Sequence, residues 1–114
     1  MALNTLESLY FQPLTFSGTL TINPANGTCY SVVLNGNLSL AIDNGQFSGQ
    51  RLVLRLSQDS TGNHTLTLPS NVSYPAGINS ITLSTGANLT DYVALIWNDF
   101  NSKWNVTSVV LGYT

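Results

Sequence analysis

Arg51-Leu52-Val53-Leu54-Arg55-Leu56-Ser57 sets a leucine at every second position. An extended chain points successive side chains to opposite faces, so Leu52, Leu54 and Leu56 line one face and Arg51, Val53 and Arg55 the other. This is the signature of a half-buried strand. The same period-two pattern recurs on both sides of it. Leu14, Phe16, Leu20 and Ile22 share a face of a first strand. Residues 30–34 and 38–42 flank Asn35-Gly36-Asn37, and Asn-Gly favours the positive φ angles of a tight hairpin. Thr61-Gly62-Asn63 turns the chain into residues 64–68, with Leu66 and Leu68 inward until Pro69 stops the ladder. Ile81 and Leu83 mark a short strand. Over residues 90–97, Tyr92, Ala94 and Ile96 alternate with Val93, Leu95 and Trp97, so both faces are apolar. Such a strand is central in its sheet, or its outer face meets another subunit. Residues 103–111 supply a last strand with Trp104, which is expected in the core.

About eight strands with turn signals every 8–12 residues or so predict an all-β, single-domain β-sandwich or jelly-roll-like arrangement of short antiparallel strands. Residues 14–114 form that domain and residues 1–13 a short N-terminal arm. Within the arm, Leu3, Leu6, Leu9 and Tyr10 follow helical spacing, and Phe11 adds a further apolar side chain. None of these has a place in the strand pattern. They are therefore candidates for partner contact.

Composition narrows the function. Charged residues make up 7% of the 114, against about 25% in ordinary domains. Ser, Thr and Asn number 13 each. Either neutral hydroxyls and amides cover the solvent face, or part of the surface is an interface, whose centre is depleted in charge. Arg51, Arg55 and Lys103 are the only cations, too few to neutralise a nucleic-acid backbone. No apolar run reaches the 18 or so residues of a membrane span, and residues 1–10 lack the basic start of a signal peptide. Cys29 and His64 are single, so no cysteine or histidine cluster can found a metal site, and no cofactor is expected. Asp43, Asp59 and Asp99 fall in turns and Asp91 at a strand start; paired acid–base catalysis is not expected. Arg51 and Arg55 lie on one strand face, about 13 Å apart at strand rise. They are either solubilising or anchors for carboxylates and carbonyls of a neighbour. Tyr74 and Phe100 sit in loops, where aromatic rings could stack on a ligand.

Taken in order, Gly49 through Leu56, Gln58 through Pro69, Tyr74-Pro75-Ala76-Gly77, Asp91 through Trp97 and Lys103-Trp104 form a pattern that resembles a small β module of tailed-bacteriophage virion proteins, over residues 29–113. That resemblance implies a building part and not a catalyst. It implies a homotrimer on the virion surface, assembled in the host cytoplasm, with no nucleic-acid or membrane partner. A module with only a short arm fits a capsid decoration (cement) protein bound to the major capsid protein or other virion proteins. The alternative is a tail-fibre or receptor-binding tip that recognises host surface glycans. The arm and the Arg51/Arg55 face are the expected contacts.

Overall fold

The computed structural model describes residues 10–114, and all secondary structure among them is strand apart from one 3-10 turn. The strands are β1 (Phe11–Leu14), β2 (Thr19–Ile22), β3 (Cys29–Leu34), β4 (Leu38–Ile42), β5 (Arg51–Gln58), β6 (Leu66–Thr67), β7 (Val72–Ser73), β8 (Thr90–Asn98) and β9 (Lys103–Tyr113). They form a six-stranded sheet in the order β1-β3-β5-β8-β9-β7 and a three-stranded sheet in the order β2-β4-β6. No helix among the described residues is long and apolar enough to cross a membrane.

The chain coils between the two sheets. Odd strands β1, β3 and β5 stack in parallel in the large sheet, and even strands β2, β4 and β6 stack in parallel in the small one. Phe11 lies beside Cys29, and Cys29 beside Val53. Only β5–β8 and β8–β9 are antiparallel, while β7 pairs in parallel with β9. The large sheet is thus mixed and the small one parallel, and the expected antiparallel order holds only at β5–β8 and β8–β9. Asn35-Gly36-Asn37 is not a hairpin: β3 and β4 belong to different sheets, and Gly36 is not among the positive-φ glycines. A type I′ turn needs positive φ at both central residues. The small side chain at position 36 has another use, because a Cβ there would stand 3.3 Å from the Phe16 ring.

One core lies between the sheets. Leu52, Leu54 and Leu56 point inward as their alternation requires, with Tyr30, Val32, Leu34, Val93, Leu95 and Trp97 from the same sheet. Ile22, Leu38, Leu40, Ile42 and Leu66 meet them from the small sheet. Leu83 is buried and Ile81 half-buried, yet they lie outside any strand, so the expected short strand there is a loop that packs onto the core. Trp104 is fully buried and seats edge-on against Trp97, ring centroids 5.2 Å apart. Gly45 lies flat on that second indole, where a Cβ would fall 2.2 Å from Trp97 Cγ.

Two buried glutamines and one buried aspartate hold loops to this frame. Gln58 Nε2 donates to the carbonyls of His64 and Ser84, at 2.8 and 2.9 Å, and its Oε1 accepts from His64 N. Gln50 Oε1 accepts from Gln46 N. Asp91 Oδ2 accepts from Ser84 N at 2.7 Å and Oδ1 from Gly112 N at 2.9 Å. Through these bonds the buried side chains hold the backbone of Gln46, His64, Ser84 and Gly112 to the frame.

Candidate interaction surface

The outer faces of the two sheets differ in chemistry. The small sheet presents Thr19, Thr21, Ser39, Ala41 and Thr67 to solvent. These are short hydroxyls and a methyl, the ordinary covering of a solvated sheet. The large sheet presents rows that follow from its register. One row runs Phe11, Cys29, Val53, Ala94, Ser108, and the next Pro13, Ser31, Arg55, Tyr92, Val110. Flanking rows bring Val33, Ser57, Thr90 and Tyr113 on one side and Arg51, Ile96 and Asn105 on the other. Cross-strand neighbours on one face touch, so these side chains make one field in which apolar residues outnumber Ser31, Ser57, Thr90, Asn105, Ser108 and the two arginines.

Its centre is ordered. Arg55 Nε donates to Ser31 Oγ at 3.1 Å, and the guanidinium carbon sits 4.4 Å above the Phe11 ring centroid. Phe11 in turn lies 6.0 Å from Tyr92, and Tyr92 meets Tyr113 edge-on at 5.5 Å. A cation over an aromatic face is attracted by the ring quadrupole, by about 0.5–1 kcal/mol when exposed. The same contact restricts Arg55 to few rotamers, which lowers the entropy cost of using it as an anchor.

The expected contact residues are thus distributed unevenly. Leu3, Leu6 and Leu9 lie outside the described residues. Tyr10 is 62% exposed, at the start of β1. Phe11 through Pro13, assigned above to an arm, are instead strand residues paired with β3. Pro13 is tolerated because β1 is the outermost strand of the ladder, where a missing N–H costs least. Arg51 is exposed on the same face as Arg55, opposite Ile96. The structure therefore joins Phe11 and Arg55, which the strand pattern had placed in separate units. Cys29, Val53, Tyr92, Val110 and Tyr113 complete the surface and escaped notice as contacts. Period-two reading of residues 92–96 carried part of that signal. Cys29 is only half-covered on this face, and burial pushes its thiol pKa up.

The remaining candidates sit elsewhere. Phe100 is 97% exposed in the turn between β8 and β9. Tyr74 is not free in its loop but packs against the core, and burial raises its hydroxyl pKa. Lys103 Nζ donates to the Ser70 carbonyl at 2.8 Å. Among the described residues, no group of three His, Cys, Asp or Glu side chains could hold a metal ion.

His64 is paired, Nε2 standing 3.0 Å from Asp59 Oδ1. The same carboxylate oxygen accepts from Thr61 N and Gly62 N, an Asx-type turn closure. Partial desolvation raises the Asp59 pKa, but the Gly62 and Thr61 amides and the His64 ring together outweigh it, so the carboxyl lies below its usual range. A group depressed in the folded state contributes stability above its unfolded pKa of about 3.9 and loses it as pH falls through the folded value. The denaturation midpoint should therefore drop more steeply below about pH 4 in the native chain than in Asp59→Asn. Equal acid slopes in urea titrations of the two would contradict this.

No protein-family model matches the chain, and no curated protein matches it.

Proposed function

We propose that this chain is a non-enzymatic structural protein of a tailed-bacteriophage virion, a trimeric decoration protein of the head. The supporting observation is the contrast between the two outer faces. A polar small sheet is suited to water, while the apolar field of the large sheet is suited to a neighbouring protein surface. Val53, Tyr92 and Ile96 are already partly covered, so burying the rest of each would contribute less than the roughly 1.5–3 kcal/mol of a full burial, before association costs. Arg55, already held by Phe11 and Ser31, would supply direction by reaching a carboxylate or carbonyl of the neighbour. A threefold axis at this field would cover it in each copy. Light scattering of the purified protein should report about three chains, and Val53→Glu or Ala94→Glu should yield a monomer with unchanged circular dichroism. A native chain that stays monomeric at micromolar concentration would overturn the trimer.

A second reading is a tail-fibre or receptor-binding tip that recognises host surface glycans. The observation in its favour is Phe100, an aromatic ring almost wholly in solvent in the β8–β9 turn, outside the rows of the apolar field. In that case Phe100→Ala abolishes cell binding and leaves the oligomer intact.

A further inference from the structure

We infer that the cleft between the 74–82 loop and β9 is a binding site for a neutral sugar ring. The cleft has a volume of about 350 Å³ and is walled by Tyr74, Ile78, Ile81, Val106 and Val109, with Ser80, Thr82, Thr107 and Ser108 among its polar groups. A second hollow of about 270 Å³ shares Tyr74, Pro75, Val106 and Thr107 with it and reaches Asn105. The larger hollow is of the size of small-molecule sites, about 300–1,000 Å³.

Its chemistry selects the ligand class. No charged side chain lines either hollow, so a phosphate or carboxylate would be desolvated there with no counter-charge. A purely apolar ligand would strip water from four hydroxyls without replacing it. A pyranose answers both conditions, because its C–H face is apolar and its hydroxyls both donate and accept. The Tyr74 ring and the Ile81 side chain offer the apolar wall, and the serines and threonines the polar one. One further feature shapes the cleft. The register of β8 against β9 shifts between Ala94 and Leu95, where Thr107 is the extra residue, and its Oγ1 donates to the Ala94 carbonyl at 3.2 Å. A bulge of this kind re-aims side chains, here in the wall of the cleft.

The site deepens the receptor-tip reading but does not require it, since sugar binding is measured on the isolated chain and cell or particle attachment is not. Amide spectra of the full protein titrated with glucose, galactose and N-acetylglucosamine test it, with glucuronic acid as the charged comparison. At least one neutral sugar should give saturable shifts grouped at Tyr74, Ile81, Thr107 and Ser108, and glucuronic acid weaker ones. Tyr74→Ala should weaken binding about tenfold or more. Because Tyr74 also packs against the core, Ser80→Trp is the cleaner variant: position 80 is exposed, and an indole there fills the cleft while leaving the fold alone. The inference is overturned if no neutral sugar moves these amides, if shifts scatter over the surface, or if folded Ser80→Trp binds as the native chain does. Concentration-dependent shifts at Tyr74 and Ile81, which lie outside the large sheet's outer face, without sugar would also overturn it, by showing that a second copy fills the cleft.

Discussion

Trp104→Ala should destabilise the fold by about 3–5 kcal/mol, the usual cost of removing a buried indole. Trp104 has no exposed surface and joins three parts of the structure at once. Its ring packs edge-on against Trp97 of β8, and its Nε1 donates to the Asp43 carbonyl at 3.0 Å, at the end of β4. Its backbone N–H donates to the Asn71 carbonyl at 2.7 Å, which draws β7 onto β9. Removing the side chain leaves a cavity that Gly45 and Trp97 cannot fill and leaves the carbonyl without its donor. Since whole domains are stable by only about 5–15 kcal/mol, the variant should lose a large share of its stability. Trp104→Phe should recover more than half of the loss, because most of the apolar area remains. Guanidinium titration checks both. An alanine variant within about 1 kcal/mol of the native chain would show that the residue is not the joint described.

The second large effect is expected at Asp91. Its side chain is 1% exposed, and its two carboxylate oxygens accept one backbone N–H each, from Ser84 and from Gly112. The residue thus ties the 78–86 loop and the far end of β9 to β8. Hydrogen bonds to a charged group contribute about 1.5–3 kcal/mol each, partly offset by the desolvation of the carboxylate. Asp91→Ala should therefore cost about 2–4 kcal/mol net. Asp91→Asn should recover only part, because the amide keeps one acceptor oxygen and turns an N–H₂ toward the other backbone donor. Hydrogen exchange separates this from a general loss of packing: the amides of Ser84 and Gly112 should lose protection first. Unchanged protection at both in a folded Asp91→Ala would contradict the assignment.

How much of this was legible depends on what alternation encodes. Leu52, Leu54 and Leu56, and Val93, Leu95 and Trp97, face inward as their spacing demands, because one buried face forces period two. Alternation does not name the neighbouring strand, however. The inward set of β3 is the same whether β4 folds back beside it or crosses to the opposite sheet, and Asn35-Gly36-Asn37 permits either reversal. The parallel coil of β1 to β6 was therefore not readable from residue order. Ile81 and Leu83 show the converse, apolar alternation from a loop that packs on the core without a ladder. Burial of Gln58 and Asp91 escaped for a further reason. Their partners, the backbone of His64, Ser84 and Gly112, are brought to them only by the finished fold. The apolar field was half visible in Tyr92, Ala94 and Ile96, but its Phe11 edge lay hidden behind Pro13, which reads as a break and serves as an outer-strand residue.

In the function proposed above, the outer face of the large sheet is covered by protein on a phage particle. A cryo-electron microscopy map of virions carrying this chain tests it most directly. Density for the chain is expected in groups of three on the head, with Phe11, Val53, Arg55 and Tyr92 against a neighbouring subunit and Thr19, Thr21 and Ser39 facing solvent. Virions that lack the chain, or that carry it with the Phe11–Tyr92 face open to water, would contradict it.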